Sequence, residues 1–219
     1  MELSADLSAI APVSTGVGSF GLAAGEAHIV RARNALVANG FEVEVLNDAY
    51  AARDRVLQLI PRGASVLTTA SETLRLSGIE DAIEQSVDCD PIRLRTRSMD
   101  RNTQGADLRR LMATPDVVVG SAAAVTETGS VVIVSASGSQ LPACAGGSGS
   151  AILIIGAQKI VPDLDRAFER VERYALPLET ERALKVYGRP SAINKVLIIH
   201  REALGPRTRL LLLREAIGF

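Results

Sequence analysis

Glu127 is the residue of this chain whose setting most invites chemistry. It lies in D-V-V-V-G-S-A-A-A-V-T-E-T-G-S-V-V-I-V-S, residues 116–135, a carboxylate among Ala, Val, Thr and Gly. Burial without partners would cost several kcal/mol or raise its pKa, by roughly up to a few units. Such a carboxylate is either hydrogen-bonded by its own loop or set to meet a ligand. Lys159, in G-A-Q-K, supplies a positive charge further along the chain. The hydroxyls of Thr69, Ser71, Ser121, Thr126 and Thr128, with Gly129 at the turn, complete a candidate set. Hydroxyls and the free amides of helix starts suit an anionic ligand. Glu127 would then be a general base, a nucleophile toward a thioester or acyl group, or an orienter. Each residue also has a plainer reading. Thr69 and Ser71 fit helix caps, Glu127 a turn-stabilising hydrogen bond, and Lys159 an exposed loop lysine.

Other chemistries fare worse. Cys89 and Cys144 are the two cysteines, far apart, so no zinc or iron–sulfur ligand set exists within the chain. His28 and His200 are the two histidines, and neither neighbours Cys144 in sequence. Gly16, Gly18 and Gly21 spell G-x-G-x-x-G, but the stretch before them is a weak strand with a proline inside. No resident cofactor is implied. Acidic and basic residues nearly cancel, 25 against 24, which argues against nucleic acid as a partner. No apolar run approaches the roughly 20 residues that span a bilayer. The amino terminus lacks a basic segment followed by an apolar one, so the expectation is a cytoplasmic protein with reduced thiols.

The elements that must position these residues read as alternating helices and strands. Residues 26–39 form an amphipathic helix, 41–46 a strand, and 48–60 a helix capped by Asp48. A strand over 64–69 leads through T-A-S-E, with capping-box spacing from Thr69 to Glu72, into a helix. Residues 79–86 read as a short helix and the stretch around Ile92 and Leu94 as extended. The following R-L-R-T-R-S-M-D-R is a solvated face, or an anion contact or interface. Two apolar runs, 117–119 and 131–134, read as strands of a central hairpin. The Gly/Ser-rich loop 136–150 covers a site, cradles a phosphate, or is a flap. Residues 151–155 are a buried strand, and Asp163 opens a helix. The runs 193–199 and 210–213 read as two more strands, an antiparallel pair. The expected architecture is α/β: a mainly parallel open sheet with helices on both faces. An amino-terminal arm, residues 1–20, precedes a single domain, 21–219. In such a sheet ligands bind at the carboxyl ends of strands, where 69–73, 121–129 and 156–159 would converge.

Five blocks occur in a distinctive order: S-E-T-L-R-L-S-G-I (71–79), S-A-A-A-V-T-E-T-G (121–129), I-I-G-A-Q-K-I-V-P-D-L-D-R-A (154–167), R-V-E-R-Y-A-L-P-L-E-T-E-R-A (170–183) and L-L-L-R-E-A-I-G-F (211–219). Over residues 40–219 the chain resembles the LUD, or lactate-utilisation, domain family, which includes the C-type subunit of bacterial L-lactate oxidation complexes. The resemblance implies a fold like that of glucosamine-6-phosphate deaminase, ribose-5-phosphate isomerase and the coenzyme A transferases. It implies a role in oxidising lactate to pyruvate beside iron–sulfur partner subunits. Ser121, Thr126, Glu127, Thr128, Gly129 and Lys159 match the family blocks. Where the family often has Asn this chain has Ala123, and where it has G-N-R this chain has Gly138, Ser139 and Gln140. The leading expectation is a subunit or accessory of L-lactate utilisation, free to form oligomers, that binds a small anionic metabolite near Glu127. A stand-alone transferase or isomerase acting on a thioester or sugar phosphate is the alternative, and a non-catalytic scaffold subunit a third.

Overall fold

Three strands of near-continuous apolar residues, V-V-V-G, S-A-I-L-I-I-G and T-R-L-L-L-L, have no polar face to offer water, so both their faces must be covered. The computed structural model describes residues 17–219 apart from Arg101 and Leu204. The expected arm, residues 1–20, lies outside the described residues except for its last four, as does Gly16 of the glycine pattern. Gly18 and Gly21 fall in a 3-10 turn, Val17–Gly21, not in a strand-to-helix turn.

In chain order the strands are β1 (Glu42–Leu46), β2 (Ser65–Thr68), β3 (Asp90–Pro91), β4 (Val117–Gly120), β5 (Ala124–Thr126), β6 (Val131–Ser135), β7 (Ser150–Gly156), β8 (Ile160–Val161), β9 (Lys195–Ile199) and β10 (Thr208–Leu213). The α-helices are α1 (Glu26–Ala38), α2 (Ala49–Leu59), α3 (Glu72–Leu76), α4 (Ile79–Glu84), α5 (Ile92–Arg97), α6 (Gly105–Ala113), α7 (Leu164–Arg170) and α8 (Leu176–Tyr187). Six strands make one sheet in the order β1-β10-β7-β4-β2-β3, every neighbouring pair parallel.

The period-two alternation of the strands divides the core. Val117, Val119, Ile152, Ile154, Leu211 and Leu213 face α2, α3 and α4, meeting Val56, Leu74, Ile79 and Ile83. Val118, Leu153, Ile155, Leu210 and Leu212 face the other way, onto Ile29, Ala32 and Leu36 of α1 and onto Val125, Val131 and Ile133. The last three belong to a second sheet of four strands, β8-β5-β6-β9. Its far side packs Ala124, Val132 and Val161 against Phe20 and Ala167. The molecule is thus α/β, as its alternating pattern predicts, with a small sheet taking part of the place of a helical layer.

Several expectations need correction. Val117–Gly120 and Val131–Ser135 are not partners: the hairpin is β5 with β6, antiparallel about T-E-T-G, and β4 belongs to the large sheet. The two carboxyl-terminal strands do not pair either. β10 is inserted parallel between β1 and β7, whereas β9 runs antiparallel to β6. Strand propensity is the same in both cases; the partner is decided by long-range packing. Around Ile92 the chain is helical, because the strand there is only Asp90–Pro91 and Pro91 opens α5. Asp48 and Asp163 do cap, accepting from the amides of Ala51 and Arg166. Thr69 does not: Ser71 holds the cap position of α3, without a side-chain cap bond. The chain from α7 to α8 passes through a π-helical turn, Val171–Ala175, just before Pro177, whose missing N–H cannot continue an α ladder.

Leu153 lies in the middle of β7, 1% exposed, and contributes to the cluster that joins both sheets. Leu153→Ala is expected to lower stability by about 2–5 kcal/mol in urea unfolding followed by circular dichroism, through lost burial and an unfilled cavity.

Candidate functional site

β7 ends at Gly156, and a 3-10 turn, Ala157–Lys159, bends the chain into β8. This turn carries Lys159 inward at the carboxyl end of the large sheet. The side chain is 1% exposed. Its Nζ donates to Thr73 Oγ1 at 2.8 Å and to Ser121 Oγ at 3.0 Å. Both hydroxyls pass their own protons on, Thr73 to the carbonyl of Ile217 at 3.3 Å and Ser121 to that of Ile154 at 2.6 Å. Each is therefore free to accept from the amine. Thr73 comes from α3, Ser121 from the end of β4, and Lys159 from the end of β7, so three of the expected stretches do meet here.

A second buried cation stands close by. Arg170, at the end of α7, is fully buried; its Nε donates to the Gln158 carbonyl at 3.1 Å and its Nη1 to the Ala123 carbonyl at 2.6 Å. Nη2 has no partner, and the guanidinium lies 5.2 Å from the Tyr174 ring centroid. Among the described residues no carboxylate pairs with Lys159 or Arg170, although 19 ion pairs form elsewhere. Burial first, and the neighbouring Arg170 second, push the Lys159 pKa well below the ordinary lysine range. Burial brings Arg170 down to about 10.

The site is roofed by the residues after β10. Gln158 clamps them: its Nε2 donates to the carbonyls of Ile217 and Gly218, both at 2.8 Å, and its Oε1 accepts from the Ile217 amide at 3.2 Å. Ala157 N–H donates to the Glu215 carbonyl at 2.9 Å, and the Glu215 carboxylate accepts from Ala49 N–H at the start of α2 at 2.6 Å. Gly218 has φ +68°, and any Cβ there would strike Thr73. Beside this strap lies a cavity of about 390 Å³, lined by Tyr50, Ser77, Glu215 and Ile217 among others.

Glu127 stands in a different set of contacts. Its carboxylate, 14% exposed at the side chain, bonds Arg31 and His28 of α1, and its amide donates to the Val161 carbonyl. Arg31, then burial acting the opposite way, then His28 set its pKa, which lies below the ordinary carboxylate value. Thr126, Thr128 and Gly129 build the turn itself. The two threonine hydroxyls lie 2.8 Å apart, Ser130 N–H donates to Thr126 Oγ1, and Asn39 Nδ2 donates to the Gly129 carbonyl. No hydrogen bond of this cluster reaches Lys159. Thr69, buried, donates its amide to Val119 and fits its side chain against Gly120, where a Cβ would lie 2.8 Å from its Oγ1. Ser71 is half-buried at the start of α3.

The other flagged stretches fall elsewhere. Cys144 is buried and its thiol is pushed up to about 11, which leaves it inert. Its loop folds as a π-helical turn, Ala143–Gly147, at the amino end of the large sheet, where Arg207 donates to the carbonyls of Ala143 and Cys144. Of the arginine cluster, Arg93, Arg95 and Arg97 pair with Glu80, Asp90 and Glu84. Among the described residues, no group of three or more His, Cys, Asp or Glu is placed to hold a metal ion, and no helix is long and apolar enough to cross a membrane. The roles of Arg170 and Gln158 are not visible in the sequence. Arg170 falls three residues after Ala167 on the inner face of α7, and that periodicity is the one signal it leaves.

Fold and site together define an α/β protein with a buried cationic centre at the carboxyl ends of its parallel strands. The sequence model of the LUD domain matches residues 29–213, and the chain belongs to that family. A solved structure, that of a DUF162 family protein from Deinococcus radiodurans, is similar with a TM-score of 0.52 over 85% of this chain and 96% of that one. At 14% identity the likeness is one of fold. No curated protein matches significantly.

Because Glu127 is held ionised in the folded chain, it stabilises the fold above its unfolded pKa of about 4.3, and the contribution is lost as pH falls through the lower folded value. In urea unfolding, Glu127→Gln should therefore be less stable than wild type by about 1 kcal/mol or less at neutral pH, since both partners are half-exposed. The gap should close as pH drops below about 4. A gap unchanged in acid would remove the ion pair from the account.

Proposed function

We propose that this LUD-domain chain serves the utilisation of L-lactate or a related 2-hydroxy acid, binding the small carboxylate metabolite at Lys159 beneath the strap after β10. The observation that carries the reading is a buried amine, Lys159, beside a buried guanidinium, Arg170, neither of them paired with a carboxylate among the described residues. A buried charge without a partner is costly, so a site of this kind is stabilised by an anion from outside. Its place at the carboxyl ends of parallel strands is where α/β sheets bind ligands. Ser121 and Thr73 orient the amine. Glu127, with its oxygens taken by Arg31 and His28, acts as an orienter of the β5–β6 turn and not as a base. In this reading the electrons of lactate oxidation pass to iron–sulfur partner subunits in the cytoplasm.

Thermal unfolding against lactate, pyruvate, coenzyme A thioesters and sugar phosphates tests the proposal. A ligand at about 100 times its dissociation constant adds about 2.7 kcal/mol. The 2-hydroxy or 2-oxo acids should stabilise wild type and Glu127→Gln, and leave Lys159→Met unmoved. Stabilisation by thioesters or sugar phosphates alone would favour a transferase or isomerase instead. Equal stabilisation of Lys159→Met would remove the ligand from Lys159.

A further inference from the structure

The chain has three lysines, at 159, 185 and 195, against 21 arginines. Arginine is thus the usual cation of this protein, and one of the three exceptions is Lys159, fully buried like its neighbour Arg170. The two side chains differ in one respect that matters there: a guanidinium cannot lose its proton in a protein, whereas an amine can.

The hydrogen bonds around Lys159 suit the amine that has done so. An ammonium carries three N–H donors and no lone pair. Lys159 Nζ has two acceptors, Thr73 Oγ1 and Ser121 Oγ, and no carboxylate. A free amine has two N–H groups and one lone pair, so those two oxygens satisfy both of its donors and leave the lone pair free. An ammonium would keep a third N–H with no acceptor among the described residues, in a buried setting with Arg170 as its charged neighbour. A desolvated lysine beside a second cation is the arrangement that makes an amine nucleophilic toward carbonyl carbon.

We propose that Lys159 is a Schiff-base lysine that condenses with the carbonyl of a small 2-oxo acid. This deepens the preceding reading and rests on it, since the acid must first bind. The Nζ lone pair attacks the carbonyl carbon to give a carbinolamine. Loss of water then forms the C=N bond: the carbonyl oxygen leaves with the two protons that the amine gives up, and no oxidant or reductant is needed. Ser121 and Thr73, both in contact with Nζ, are placed to move those protons. Arg170 Nε donates to the carbonyl of Gln158, the residue before Lys159, and its Nη2 is an unpartnered buried donor suited to the acid's carboxylate.

Access runs through the strap. Ile217 lines the cavity of about 390 Å³ while its carbonyl accepts from Thr73 and Gln158. Release of Ile217 and Gly218 from Gln158 would join that cavity to the amine. A three-carbon acid is far smaller than the cavity.

The test is reductive trapping. The whole chain is incubated with pyruvate and cyanoborohydride, and the adduct is located by peptide mass mapping. The expected result is one reduced pyruvyl adduct, on the peptide that holds Lys159. None should form with lactate, which has no carbonyl, or on that peptide in Lys159→Arg. Wild-type mapping needs no variant, so a poorly folded Lys159→Arg would not blunt the test. If pyruvate stabilises the chain against heat but labels only Lys185, Lys195 or nothing, the imine is overturned and binding at the site stands. If pyruvate neither stabilises nor labels, both readings fall.

Discussion

The constraint on which this structure turns is the burial of Lys159 with no counter-ion among the described residues. A lysine in that position is tolerated only because two hydroxyls, from α3 and from the end of β4, meet its nitrogen. Those hydroxyls are themselves anchored to backbone carbonyls of β7 and of the strap. The large sheet makes this meeting unavoidable. Its central strands are apolar on both faces, so every polar group they carry is forced to their ends. Parallel strands joined by helices then bring several such ends side by side.

Linkage gives the cost a sign. Because burial lowers the Lys159 pKa, the folded chain releases this proton at a lower pH than the unfolded chain does. Lys159 therefore opposes folding most below its folded pKa, and the penalty fades as pH rises from there toward the unfolded value of about 10.4. Glu127 shows the opposite balance. Its ion pair with Arg31 favours folding at neutral pH and, with the hydrogen bonds from His28 and Asn39, docks the β5–β6 turn on α1.

Much of the architecture was legible in the residues. The alternation of helices and strands announced a mainly parallel sheet, the apolar run of β7 a buried strand, and Asp48 and Asp163 helix starts. The partners of the strands were not legible. Val131–Ser135 reads like β4 but joins the smaller sheet, and Lys195–Ile199 joins it there instead of pairing with β10. Local sequence carries propensity, while registry and choice of sheet are settled by contacts far apart in the chain. The site shows the same limit. Thr69, Ser71, Ser121, Glu127 and Lys159 could be picked out as types, but Thr73 and Lys159 are 86 residues apart and Glu127 and Arg31 are 96. Spacing alone could not say that Ser121 and Lys159 share one cluster and Glu127 another.

The charge of Lys159 in the ligand-free chain is the most direct measure of this account. Nitrogen NMR of the side-chain amines can read it, and three lysines keep the spectrum simple. The account predicts that the Lys159 resonance titrates from ammonium to free amine well below the ordinary lysine value of about 10.4. A Lys159 that stays protonated up to the ordinary lysine range would contradict it, and would mean that the centre holds a counter-ion of its own.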